Sequence, residues 1–282
     1  MASIKDLKKE HFLNPAFFGE LFFFIIGYLI VLLCVSRLIL RDLPVVEVVE
    51  YNPISFLGYF FVLTFFVYIT LKRFSWSGRF IKVLFYLALI QGVFFVTSIY
   101  FNDLLFSILS LLIIFAAYLF IHNIFIHNLV LIVALSGISL ILSSKMSFQT
   151  AMIISVILAI YDWIAVNKTK HMVTMFKNMV NKNVFFALII PYRIVDYKHS
   201  IRLVEINQRY VFLGTGDIVV PLMIFIPSLL VDLSLAWNVF FGSFLGLIVL
   251  YIQFLLRDER KALPGLPPIV TGALIGYLLW LW

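Results

Sequence analysis

The sequence predicts an all-α membrane protein with nine transmembrane helices, its N-terminus cytoplasmic and its C-terminus outside. Three observations predict it. Hydrophobic residues make up 63% of the chain and the mean hydropathy is +1.10, whereas soluble domains run near roughly 45–50% apolar. Nine apolar segments are long enough, or nearly so, to cross ~30 Å of hydrocarbon at ~1.5 Å per residue. Lys and Arg then divide eighteen to three between the two faces that nine crossings define, and the basic-rich face is the cytoplasmic one.

The predicted spans are 17–36, 54–71, 80–101, 104–121, 125–143, 147–166, 211–231, 235–256 and 264–282. The first is too long for a signal peptide and has no small-residue cleavage site, so it reads as a retained helix. The third and fourth meet at a polar turn, Asn102-Asp103. The fourth and fifth meet at His122–Asn128. Between the sixth and seventh lies a basic connection, 167–210, with eight Lys and Arg. Inside it Val184–Pro191 is apolar but too short to span; its β-branched and aromatic residues favour a strand, with an interfacial helix as the rival. The whole reads as a single polytopic domain, with six helices in 1–166, a cytoplasmic loop at 167–210 and three helices in 211–282.

Several classes are excluded. The net charge of +7 sits in loops and reports orientation, so nucleic acid is not an expected partner. Cys34 is alone and apolar in setting, and cannot form an internal disulfide. No His-Glu-x-x-His occurs, and His122 and His127 read as parts of a polar turn, so neither metal nor cofactor is expected. Ser139 has no histidine at its depth to serve as a base. Glu20 is expected to face headgroups or another helix, and Gln91 to bond between helices.

Asp162 and Asp217 carry the chemistry. The sixth span ends four residues past Asp162, and the seventh begins six residues before Asp217. Both carboxyls therefore sit roughly 6–9 Å inside the cytoplasmic boundary. A charged carboxylate in a span costs roughly 2.5–3.5 kcal/mol on insertion scales, so two at one depth imply joint use. Two carboxyls around one water share a proton. One can take a proton from water while the other protonates a carbonyl oxygen. Gly214 and Gly216 let other backbone approach, and Pro221 has no N–H for the Asp217 carbonyl. Pro264-Gly265-Leu266 lies at the same depth. An ion- or proton-coupled transporter is the alternative, since paired acids and irregular helices also mark ion sites.

Tyr161-Asp162, Gly214-Thr215-Gly216-Asp217 and Pro264-Gly265-Leu266 resemble, in that order, the YD, GxGD and PAL motifs of presenilins and signal peptide peptidases. The resemblance extends over the whole chain, closest to a compact archaeal-type homologue. It implies an intramembrane aspartyl protease with Asp162 and Asp217 catalytic, and with Tyr161, Gly214, Thr215, Gly216, Pro264, Gly265 and Leu266 shaping the site or binding substrate. It implies transmembrane segments of other proteins as substrates, the lipid bilayer as surroundings, no required accessory subunits and a prokaryotic plasma membrane. Gly265 stands where the family usually has alanine. The run GDIVVP is similar to the peptidase branch, while the charge asymmetry gives the presenilin orientation. The resemblance also implies that an extended segment of the long loop, Val184–Ile190 or its flanks, pairs with unwound substrate.

Overall fold

Apolar runs of membrane-spanning length fold as helices because a helix satisfies its own backbone polar groups. The computed structural model describes residues 14–41, 52–73, 77–101, 103–143, 146–168, 184–205, 209–256 and 262–282, with Thr174, Phe176, Met179 and Val180. The lysines near the N-terminus, Asn102 of the predicted turn and Arg257, Arg260 and Lys261 lie outside these. Among the described residues there are nine α-helices: α1 (Pro15–Leu40), α2 (Pro53–Arg73), α3 (Ser77–Tyr100), α4 (Leu104–Phe120), α5 (Ile124–Ser143), α6 (Phe148–Asn167), α7 (Gly216–Val231), α8 (Leu233–Leu256) and α9 (Leu266–Trp280). Five of them, α1, α3, α5, α6 and α8, are long and apolar enough to cross a membrane. Helices α4, α7 and α9 are apolar but shorter. The chain is an integral, multi-pass membrane protein.

The predicted seventh span needs correction. Its first four residues, 211–214, belong to a strand, and the helix begins at Gly216. Tyr210–Leu213 is aromatic and β-branched, and Gly214 and Gly216 punctuate the change from extended to helical backbone. Strand β2 (Tyr210–Gly214) pairs antiparallel with β1 (Ala187–Pro191), with Ala187 opposite Gly214 and Pro191 opposite Tyr210. The predicted strand is therefore present, and β1 is buried along its whole length. The long connection is also tied down. Two short 3-10 turns, Ile194–Lys198 and Ile201–Leu203, follow β1. The Ile201 N–H donates to the His122 carbonyl at 2.8 Å, and the Ile124 N–H donates to the His199 carbonyl at 3.1 Å. These bonds anchor the loop to the α4–α5 turn.

Helix α7 is the hub, packed against α1, α5, α6, α8 and α9. It is apolar all round, as a helix enclosed by others must be, and Val220–Ser228 is buried without interruption. Pro221 and Pro227 lie within it and do not end it. Pro227 strands the carbonyl four residues back, that of Met223. Ser143 of α5 donates its hydroxyl to that carbonyl, at 3.4 Å. Ser139, dismissed above as a nucleophile, bonds the Leu135 carbonyl at 2.8 Å and reaches that of Val219 at 3.5 Å. Gln91, expected to bond between helices, is exposed on α3.

Helices α8 and α9 meet backbone to backbone. A side chain at Gly242 would strike the Gly272 carbonyl, and one at Gly246 would strike Pro268. Small residues four apart on both helices permit this approach. The contact fixes the start of α9, where Pro264-Gly265-Leu266 lies.

Candidate active site

Asp162 sits five residues before the end of α6 and is 4% exposed. Asp217 is the second residue of α7 and half-buried, where unpaired helix N–H groups favour an acid. The two come from neighbouring helices and converge on one stretch of backbone. The Leu266 N–H donates to Asp162 Oδ2 at 3.2 Å, and the Gly265 N–H is directed to the same carboxylate. The Asp217 carboxylate also lies against Gly265. A Cβ there would stand 2.5 Å from Cγ and Oδ1 of Asp217 and 2.6 Å from Oδ2. The Gly214 N–H is directed to Asp217, and a Cβ at Gly214 would be 3.1 Å from Oδ2. Gly265 therefore touches both acids, and its lack of a side chain makes room for Asp217.

The other expected site residues gather at the same place. Tyr161, Thr215, Gly216 and Leu266, together with Asp162, line a cavity of about 320 Å³. Pro264 is buried one residue before Gly265. The rest of its lining is apolar and includes Phe56 of α2, Phe85 of α3 and Leu131 of α5. The ring of Phe61 in α2 meets Tyr161 edge-on at 5.3 Å. The arrangement can hold an apolar segment beside Asp162.

Four further residues have settings worth stating. Glu20 takes the second of its two expected settings, facing other parts of the protein rather than headgroups. It is 4% exposed and lies within electrostatic reach of Asp217, Tyr197 and Tyr251. The signal in the sequence was an acid inside an apolar run. His122 and His127 do not share a turn. His122 meets the Arg202 guanidinium at 2.7 Å. His127 is 1% exposed within α5, between the Tyr118 hydroxyl at 3.4 Å and the Ala187 carbonyl at 3.3 Å. Asn128, next to it, is fully buried and bonded to the backbone of β1. One edge of β1 is thus taken by β2 and the other by α5. Among the described residues β1 therefore offers no open edge at Ile189, where Val184–Ile190 or its flanks are expected from the sequence to pair with substrate. Among the described residues no group of three His, Cys, Asp or Glu is placed to hold a metal ion.

A family model described as signal-peptide peptidase, presenilin aspartyl protease matches residues 21–281. Two solved structures have a similar fold, each described as a presenilin family intramembrane aspartate protease, one in a C222 and one in a P2 space group. Identity is 18% and 20% and the TM-score 0.62 and 0.63, with 93% of this chain and 95% of the other covered in both cases. At such identities the likeness is one of fold. No individually curated protein matches.

Proposed function

The chain belongs to the signal-peptide peptidase and presenilin aspartyl protease family, and we propose that it hydrolyses peptide bonds in or beside transmembrane helices of other membrane proteins, using Asp162 and Asp217 and one water. The observation that carries this is the convergence of both carboxylates on Gly265-Leu266, beside an apolar cavity that Asp162 and Leu266 line. The family selects this reading over the ion-coupled transporter that an acid pair alone also fits.

The pair holds one proton between its two carboxyls. The ionised member takes a proton from water as the water oxygen attacks the peptide carbonyl carbon. The protonated member gives its proton to the carbonyl oxygen, and a tetrahedral diol forms. The dyad then gives its proton to the amide nitrogen and takes one from a diol hydroxyl as the C=O re-forms and the C–N bond breaks, so that acid and amine leave with the dyad back at one proton. Tyr161, Thr215, Gly216 and Leu266 shape the cavity where the scissile segment lies. The substrate's unwound backbone adds to the outer edge of β2, which ends three residues before Asp217. No cofactor takes part. The glycine faces of α8 and α9 are occupied by each other, which supports activity without accessory subunits. Nine crossings with a cytoplasmic N-terminus, in a prokaryotic plasma membrane, complete the reading.

The test is cleavage of a purified single-span substrate by the purified chain in detergent, read on a gel. Asp162→Asn and Asp217→Asn are each expected to reduce cleavage to background while the protein elutes as the parent does. Cleavage that survives either substitution overturns the assignment.

A further inference from the structure

The pairing register of the hairpin decides which backbone groups are available to substrate. The Tyr192 N–H donates to the Arg209 carbonyl at 3.1 Å, which continues the β1–β2 ladder by one pair beyond Pro191–Tyr210. In an antiparallel ladder, directly bonded pairs alternate with non-bonded pairs. Residues 188, 190 and 192 therefore turn their N–H and C=O groups toward β2, and residues 187, 189 and 191 turn theirs away. Pro191 falls on the outward side, where its missing N–H costs the ladder nothing. By the same alternation, Tyr210, Phe212 and Gly214 of β2 turn their groups away from β1.

The outward side of β1 is not left open. The Asn128 amide donates from Nδ2 to the Ile189 carbonyl at 2.7 Å, and the Ile189 N–H donates back to Asn128 Oδ1 at 3.0 Å. A side-chain amide offers one donor and one acceptor, as a peptide unit does. The neighbouring His127 reaches the Ala187 carbonyl through Nε2. Helix α5 thus supplies the contacts that a third strand would make, from the second turn of a membrane helix. No described residue makes the corresponding bonds to Phe212 on the outer side of β2.

We propose that Asn128 is a positioning residue for peptide hydrolysis: by standing in for a third strand at Ile189, it holds β1 in place and leaves the outer edge of β2 as the template on which substrate is aligned with the dyad. This rests on the protease reading above. The chain of effect runs from Asn128 to Ile189, across the ladder to Phe212, and along β2 to Gly214 and Asp217. Without the amide, the Ile189 groups are left unpaired in an apolar core, and β1 gains a second edge that competes for the same extended segment. A strand that slips must move by two residues to keep its side chains on the same faces. Such a slip carries the scissile bond by about 7 Å at ~3.3 Å per residue, so cleavage moves two residues along the substrate.

The experiment compares the parent with Asn128→Leu, Asn128→Gln and Ser139→Ala, using a fluorophore-tagged single-span apolar helix in detergent. Product masses give the cut positions, and initial rates give kcat and KM. Asn128→Leu is expected to lower kcat about tenfold, with KM changed less than threefold, and to add products cut two residues from the parental position. Asn128→Gln keeps a donor and an acceptor, and is expected to restore the parental cut as the major product. Ser139→Ala removes a buried α5 hydroxyl that does not touch the hairpin, and should leave the cut positions unchanged. Should Asn128→Leu fail to yield a monodisperse protein, the Gln variant decides by whether its minor products appear two residues away. Parental cut positions and rates in both Asn128 variants overturn the proposal, as does the same product pattern in Ser139→Ala. If the parent leaves the helix whole, the protease reading fails and this inference falls with it. If the parent cleaves and Asp217→Asn does not, the reading stands and the Asn128 result is judged alone.

Discussion

Gly265→Ala puts the usual family residue back and is expected to damage this enzyme. The backbone at Gly265 has φ −85° and ψ −35°, a region any L-residue adopts, so the substitution meets no backbone strain. Its effect is local. The new methyl would lie 2.5–2.6 Å from three atoms of the Asp217 carboxylate, where ordinary contact begins at 3.4 Å. The carboxylate must retreat by about 0.9 Å, and a misplacement of ~1 Å can cost up to about 100-fold in rate. A loss of 10- to 100-fold corresponds to about 1.4–2.7 kcal/mol of transition-state stabilisation. The fold should tolerate the change, because an aspartate can rotate and because Gly→Ala at a permitted φ/ψ stabilises by roughly 0.4–1 kcal/mol through the unfolded chain. The expected result is therefore a split, with kcat down at least tenfold and Tm unchanged or raised. Single-turnover cleavage and a thermal melt measure the two. Parental kcat in the alanine variant would refute the claim that Gly265 makes room for Asp217. A fall in Tm as large as the fall in activity would show a general packing defect instead.

Gly216→Ala is the contrasting case. A Cβ there meets nothing within 4 Å, so Tm should hold and cleavage should stay within tenfold of the parent; a tenfold loss with intact Tm would mean the methyl obstructs substrate in the cavity that Gly216 lines. Glu20→Gln removes a buried acid within reach of Asp217 while keeping its shape. The protein should fold, and one limb of the kcat/KM profile against pH should move; superimposable profiles would show that Glu20 does not influence the dyad. At the α7–α8 corner, hydrogen bonds from the Ser234 hydroxyl and N–H hold the Asp232 carboxyl below its ordinary range. A carboxyl depressed on folding stabilises fully above its unfolded value, and the effect is lost as pH falls through the folded one. Asp232→Ala should lower Tm at about pH 7, with the gap closing toward about pH 3; a gap that stays constant across that range would contradict the linkage.

Helix positions were legible because twenty apolar residues in a row have few other fates. The predicted 125–143 and the observed Ile124–Ser143 differ by one residue. The candidate site was legible where rare residues stand in apolar surroundings, as at Asp162, Asp217 and the glycines before it. The strand at the head of the seventh span was not, because Val211–Leu213 is as apolar as the helix that follows and hydropathy does not register the change of period. Asn128 and Glu20 were visible as polar residues in apolar runs. Their partners were not, since Ile189 is 61 residues from Asn128 and only the folded hairpin brings them together. The role of Gly265 was hidden for a similar reason. A glycine in place of alanine reads as a lapse from a motif until the Asp217 carboxylate is found in the space it leaves.

The same geometry bears on how far a substrate helix has to open. Within hydrocarbon each unsatisfied backbone group costs several kcal/mol, so a peptide cannot unwind there without a replacement partner. On our reading the outer edge of β2 supplies one: the N–H and C=O of Phe212 and the C=O of Gly214, whose N–H is already directed to Asp217. Those few groups can re-pair about one turn of a released helix. Unwinding should therefore stop where β2 stops, and the first unsupported peptide unit beyond it lies beside the carboxyl pair. Substrates whose helix is already frayed by glycine or proline about one turn from the scissile bond should then be cut faster than uniformly helical ones, through kcat rather than KM. Equal kcat for matched helices with and without such a break would mean that the opening of the helix is not what β2 supports.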